Sequence, residues 1–414
     1  MIMANIVKLG ELYEVHNGLS KGGKFFGSGY PFLTFSTVFN NFFIPEELTD
    51  LVQSTEQEQE SYSIQRGDVF VTRTSETSDE LGMSCVALKD YPHATFNGFT
   101  KRMRPISQRV LPEYIGYYMR MPSFRNEFLA FSTMTTRASL RNEDLLGLSI
   151  RLPSIEEQTR IAGILFTYDR LIETNQRQIK LLEEAAQRLY KEWFVDLRYQ
   201  GHENVPVVDG VPDGWKILPL GAVGCTLETG SRPKGGIDPE LKTGVASIGA
   251  ENVIGLGQYN YAAEKLVTQE FFDRMKKGIL RDRDILIYKD GAYIGKTSLF
   301  QDGFPHTHAA VNEHVFLLRM LSVELQYYVF FTLYQDEYYM KMQKLNRNAA
   351  QPGINAQAMQ TLHIVVPERL VVEGFNAEVT PIMKEIFTLA KENVLLSEAR
   401  DRLLPKLMSG EIAV

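Results

Sequence analysis

Two regimes of hydrophobic patterning divide the chain. In the first, Ile161, Tyr168, Asn175, Leu182 and Leu189 recur every seven residues, and Leu165, Ile172, Ile179, Ala186 and Trp193 follow each by four. A second run sets Phe375, Ile382, Leu389, Leu396 and Leu403 against Val379, Ile386, Asn393, Arg400 and Leu407. A seven-residue repeat held over about five heptads predicts a coiled-coil seam, not an ordinary helix face. Ser154 followed by Glu157 fits a capping box, so the first helix is predicted from Ile155 to about Arg198, ~65 Å long. Pro381 predicts a kink in the second helix, or its start with Thr380 as cap. Asn175 and Asn393 interrupt the seams. A polar seam residue fixes register at some cost in stability, although a tolerated, partly exposed Asn accounts for them equally well.

In the second regime, short β-rich runs such as VFVTRT, ILIYKD and HVFLLRM are bounded by Gly, Asp and Pro. Two aromatic-rich stretches, LPEYIGYYMRMPSFRNEFLAF and SVELQYYVFFTLYQDEYYMKMQ, read as helices whose rings fill cores. The regimes alternate because the chain repeats itself. KLGELYEVHNG answers LPLGAVGCTLETG, and IQRGDVFVTRT answers LRDRDILIYKD. LSIRLP answers LHIVVP, and LLEEAAQRL answers LLSEARDRL. A period of roughly 214 residues is far too long for a solenoid and describes a duplicated unit, a globular part followed by a helix. The expected fold class is α+β, with globular parts at 1–153 and 200–367 and long helices at 154–199 and 368–414.

With 414 residues, 44% of them hydrophobic and 23% charged, disordered and fibrous classes are excluded. Cys85 and Cys225 stand far apart, which excludes a disulfide scaffold and Cys-based zinc motifs and fits a reducing, cytoplasmic setting. The N-terminus lacks the apolar core of a signal peptide, and no apolar run is long enough to span a membrane. Net charge is −7. Six acidic residues with no Lys or Arg between Phe25 and Gln65 account for most of it, so a local basic face is compatible with the composition.

Motifs for catalysis fail on inspection. Phe25-Phe26-Gly27-Ser28-Gly29 matches a methyltransferase cofactor loop, but Tyr30-Pro31-Phe32 cannot open the helix such a loop needs, and no Pro-Pro motif accompanies it. Gly291 to Thr297 resembles a phosphate loop with one residue too few between its glycines. It reads as a plain hairpin turn or as a turn presenting Lys296 and Thr297 to a phosphate backbone. His306, His308 and His314 cluster without the partners a zinc site wants. Neither a triad nor a carboxylate couple stands out. No cofactor or metal is expected in the chain.

The remaining polar loops suit nucleic acid. Arg73, Thr74 and Ser75 follow a strand; Lys101, Arg102 and Arg104 follow an aromatic stretch; Thr136, Arg137 and Ser139 precede LSIRLP. The matching loop of the second copy carries Asn346, Arg347 and Gln351. Arg and Lys suit guanine edges or phosphates, and Asn and Gln suit adenine edges. Lys21, Lys289 and His308 complete the candidate set with Lys296 and Thr297.

The stretch LPSIEEQTRIAGILFTYDRLIETNQRQIKLLEEAAQRLYKEWF closely resembles the central helix region of type I restriction–modification specificity subunits. Their P-x-x-E-Q-x-x-I-A pattern is met by Pro153, Glu157 with Glu156 beside it, Gln158, Ile161 and Ala162. VPDGWKILPLG, LLPKLMSGEI, GDVFVTRTSE and DGAYIGK are similar to further segments of that family. In the second copy Val371 and Val372 replace the Glu-Gln pair, so its helix start is expected to differ. The resemblance implies a non-catalytic subunit with two target-recognition domains, each reading half of a bipartite site in double-stranded DNA. It implies helices pairing as an antiparallel coiled coil with pseudo-two-fold symmetry, which puts Asn175 near Asn393, each amide satisfying the other. Two modification subunits carrying S-adenosylmethionine and restriction subunits are the implied partners. A coiled-coil scaffold binding only protein stays open as the alternative.

Overall fold

The computed structural model of the chain describes residues 5–75, 81–130, 133–134, 138–291, 293–346 and 353–414. These form two compact units that do not follow chain order. One is Met1–Arg170 with Leu396–Val414, the other Leu171–Leu395. Each long helix therefore gives one part of its length to each unit.

In the first unit a four-stranded antiparallel sheet runs in the order Tyr13–Asn17, Thr100–Pro105, Val69–Thr72, Ser84–Val86. The second unit repeats it as Cys225–Thr229, Val315–Met320, Ile285–Tyr288, Thr297–Leu299. The strand Val69–Thr72 is apolar without alternation because both its faces are covered. Val69 and Val71 join a core with Tyr114, Tyr117, Ile161 and Leu165. Phe70 turns the other way, to Leu33, Cys85 and Phe96. Ile285 and Ile287 against Leu286 do the same in the second unit. A parallel pair (Phe26–Leu33 with Thr95–Phe96, repeated as Val245–Ile248 with Ala309–Val311) forms a second layer. Gly29, in the stretch resembling a cofactor loop, belongs to this strand. Its φ is +104°, and a Cβ there would strike the carbonyl of Val52 on the neighbouring strand.

The aromatic stretches are each two helices rather than one. Pro112–Tyr118 and Pro122–Ala130 divide at Pro122; Leu325–Tyr334 and Asp336–Lys344 divide at Gln335, whose backbone is extended.

The first long helix runs Ile155–Tyr190 and ends in a π-helical turn, Lys191–Val195, short of the predicted Arg198. That turn delivers Phe194 to a ring cluster with Tyr190, Trp215, Tyr328 and Phe375. The second long helix runs unbroken from Arg369 to Ser409. Pro381 lies within it on the exposed side and is not its start. Arg369 is also 214 residues from Ile155, so the loss of the Glu-Gln pair does not move the helix start.

What the pair does is seen at Gln158, which is fully buried. Its amide accepts from the Leu111 N–H at 2.8 Å and donates to the carbonyls of Pro153 and Arg109, both at 2.9 Å. Glu157 forms only half of the predicted box: its N–H reaches the Ser154 hydroxyl, but its carboxylate pairs with Arg151. Val372, at the position of Gln158, simply joins the apolar core. Gln158→Ala is expected to leave those backbone groups unpaired and to lower stability by about 2 kcal/mol. Chemical denaturation of the full chain measures it.

Within the first unit Asp169 and Arg400 pair at 2.6 Å. Within the second the Asn175 amide donates to Glu392 at 3.2 Å. In the first unit Arg160 also reaches the Val414 carbonyl, so rising numbers on one helix meet falling numbers on the other and the pairing there is antiparallel. The register matches expectation to within one residue, but the amide pair does not form: among the described residues the buried Asn393 Oδ1 has no hydrogen-bond partner. Of the seam residues, Ile161, Leu165, Asn175, Ile179, Ile386 and Leu389 are buried, and Tyr168, Ile172, Leu182, Leu189, Ile382, Asn393, Leu396 and Leu403 are half-buried. Met383, Phe387 and Ala390 are buried as well, off the heptad positions. There the helix packs on its own globular part, with Phe387 against Phe304, and the seam widens into a domain core.

Candidate nucleic-acid interface

The same polar skeleton holds the loops of both units. Arg104 grips Asp68 with two bonds, 2.8 and 2.6 Å, and Asp68 also accepts the Gln65 N–H. Arg319 grips Asp284 at 2.7 and 2.5 Å, and Asp284 accepts the Arg281 N–H. Both carboxylates are fully buried. Burial pushes the Asp284 carboxyl upward, and the bond from Arg319 opposes it.

Beyond these clamps, Arg73 and Lys289 occupy one and the same place. The Arg73 N–H donates to the Phe99 carbonyl, and its carbonyl accepts from Leu140; the Lys289 N–H donates to the His314 carbonyl, and its carbonyl accepts from Ile354. In the first unit the chain then forms a ribbon in which Thr74 pairs with Ser139 and Ser75 with Ala138. In the second, among the described residues, Asp290 bridges Gly353. Thus Arg73, Thr74, Ser75 and Ser139 are brought together, as are Lys289 and Asn346, whose side chain accepts the Gly353 N–H at 3.0 Å. The Arg73 guanidinium donates to Asn17 at 3.1 Å. Lys289 reaches Asp290 at 2.9 Å, and Asp290 also meets His314 at 3.0 Å. Thr136, Arg137, Arg347 and Gln351 lie outside the described residues.

Three candidates are corrected. Lys101 and Arg102 stand on a central strand with 6% and 4% of their surface exposed. Lys101 is bonded to Asn142, and Arg102 donates to the Ser63 carbonyl at 2.6 Å and lies over the Phe96 ring. Burial lowers both pKa values, reinforced at Lys101 by Arg73 and at Arg102 by Arg104. Their side chains are taken up by bonds within the fold. Thr297 is likewise buried, its hydroxyl donating to the Gly295 carbonyl at 2.9 Å.

Lys296 is half-buried beside the exposed Tyr293, at a cavity of about 320 Å³ that Tyr339 also lines. His308 is exposed. His306 faces Glu264 at 2.5 Å, and so the three histidines do not converge. Among the described residues no group of His, Cys, Asp and Glu could hold a metal ion, and no helix is long and apolar enough to cross a membrane.

Sequence reasoning missed a cleft of about 760 Å³ in the second unit lined by Gly230, Lys234, Arg274, Lys276 and Lys277 among others. The signal was present: Lys234-Gly235-Gly236 repeats Lys21-Gly22-Gly23. Lys21 itself is engaged, paired with Glu58 at 2.7 Å and donating to the Gln53 carbonyl at 2.6 Å.

Comparison with known proteins converges on one family. Residues 3–184 match the type I restriction modification DNA specificity domain. The chain is 25% identical over 338 residues to the type I restriction enzyme MjaIX specificity subunit of Methanocaldococcus jannaschii, covering 80% of this chain and 75% of that one. It is 29% identical over 167 residues to the EcoKI specificity subunit of Escherichia coli, covering 39% and 36%. The fold is that of the type I restriction–modification system S subunit of M. genitalium, with a TM-score of 0.55 at 12% identity over 99% of this chain and 97% of that one. Residues 3–184 thus match the type I restriction modification DNA specificity domain, most of the chain is similar to type I restriction enzyme specificity subunits, and the fold is that of a solved S subunit.

Proposed function

We propose that each unit reads one half of a bipartite site in double-stranded DNA and that the paired helices set the distance between the halves. The observation that carries this is the equivalence of Arg73 and Lys289: two structurally matched cations stand at the ends of matched strands, each beside polar loops. The chain acts without chemistry of its own. Two modification subunits dock on it, bind S-adenosylmethionine and methylate an adenine in each half-site, and restriction subunits join that assembly.

The test is to map methylated adenines genome-wide in cells carrying the system with Arg73→Ala or Lys289→Ala. Loss of a base contact is expected to cost about 1–3 kcal/mol and to relax one half of the motif only, a different half for each variant. Relaxation of both halves by either change would overturn the assignment of one unit to one half.

A further inference from the structure

The duplication places the same loop and the same short helix in both units, with opposite electrostatics. In the first unit the loop after Gly18 faces the helix Glu56–Ser61, capped by Thr55. In the second the loop after Gly230 faces the helix Gln269–Arg274, capped by Thr268. Both glycines are forced, since a Cβ at Gly18 would strike the Asn97 carbonyl and one at Gly230 the Val311 carbonyl. The loop is thus pinned to the sheet in each unit, and what differs is the helix.

The first helix carries Glu56, Glu58 and Glu60. Glu58 closes over Lys21, and the bond from that ammonium holds its carboxyl below the usual range. In the second unit Phe271 stands where Glu58 does, and the chain continues as Arg274, Met275, Lys276, Lys277. Arg274 pairs with Glu270 on its own helix, but among the described residues Lys234, Lys276 and Lys277 have no ion-pair partner. All three are exposed around the cleft. Its floor is fixed: the Gly278 N–H donates to Glu228 at 3.0 Å and its carbonyl accepts from Val311 at 2.8 Å.

We infer that this cleft of the second unit clamps the phosphate backbone of the duplex through Lys234, Lys276 and Lys277, whereas the matching site of the first unit is closed by the Lys21–Glu58 pair. The inference rests on the DNA-reading function above. It makes the grip on DNA unequal: the second unit supplies most of the charge-dependent hold, and the first discriminates without it. Three unpaired ammonium groups around a groove suit a regularly spaced polyanion, because each neutralised phosphate releases condensed counterions.

The full chain is titrated against a labelled duplex of mixed sequence between about 50 and 200 mM salt. Joint substitution K276A and K277A is expected to reduce the slope of log K against log salt by ~1.8, so that raising the salt costs about 12-fold less affinity than in the wild type. Joint K276R and K277R keeps the wild-type slope, which separates charge from folding. Lys21→Ala leaves the slope unchanged, and Glu58→Gln, by freeing Lys21, steepens it by up to ~0.9. An unaltered slope in the alanine pair, with wild-type binding intact, would refute the clamp and leave the DNA-reading function standing. A K21A effect as large as that of one cleft lysine would refute the asymmetry. A wild-type chain that binds no duplex at any salt would sink the function and the clamp together.

Discussion

Asp284→Ala should destabilise the second unit by about 3–5 kcal/mol, because it strands the Arg319 guanidinium in a site built for a pair. The carboxylate is fully buried, Arg319 is 20% exposed, and the Arg281 N–H loses its acceptor as well. Asp284→Asn keeps one acceptor and should cost less. Both tryptophans, Trp193 and Trp215, belong to the second unit, so intrinsic fluorescence follows that unit alone while circular dichroism follows both. In a urea titration Asp284→Ala should pull the fluorescence transition to lower denaturant. Asp68→Ala, the matched change in the first unit, should shift only the dichroism. Movement of the fluorescence transition by Asp68→Ala would show instead that the two units unfold as one.

The helices as a spacer yield the second large effect. The first long helix is continuous from Ile155 to Tyr190 and passes from one unit to the other at Arg170; the second does so at Leu395. Inserting four residues at both passages leaves each unit's packing intact. It adds ~6 Å and a rotation of about 40°. One base pair supplies roughly 3.4 Å and 35° along the duplex. The preferred spacer should therefore lengthen by one or two base pairs, with the native site no longer methylated and the bases of each half unchanged. Four is the mildest insertion for a seam of period 3.5, since it carries one seam set onto the other. The readout is the map of methylated adenines. An unchanged spacer with full activity would mean that the helices do not set the distance. Insertion near Glu183 would be a poorer test, because Glu183 is bonded to Tyr334 inside the second unit.

The helices and the duplication were legible because both are periodic, at 7 and at about 214 residues, and periodicity survives in a string. The strands at VFVTRT and ILIYKD were legible as matching β-rich runs of the same repeat, but not their partners in the sheet. The seam's register was legible to one residue, but not its chemistry: Asn175 chose Glu392, a carboxylate at an exposed position, over the amide of Asn393. The binding residues were less legible. Cations attract attention by type, and type does not reveal burial. Lys101 and Arg102 sit on a central strand and donate to Asn142 and to the Ser63 carbonyl, while Lys276 and Lys277, in an unremarked run, line an open cleft. What separates the closed site at Lys21 from the open cleft of the second unit is the residue across the groove, Glu58 or Phe271, and that contact is long-range.

The first unit is assembled from two distant pieces of chain. Ile161 and Leu165 share a core with Leu404, Leu407 and Met408. During synthesis at ~5–20 residues per second, some 10–50 s separate the emergence of these two sets from the ribosome. Through that interval the whole second unit is made, and Ile161 and Leu165 wait without the side chains that will cover them. The stretch of helix made after the second unit therefore completes a domain begun before it. A nascent chain of this protein carries an apolar stripe exposed in proportion to translation time, which makes slow codons between Leu171 and Leu395 a hazard for aggregation that neither unit's own stability would reveal.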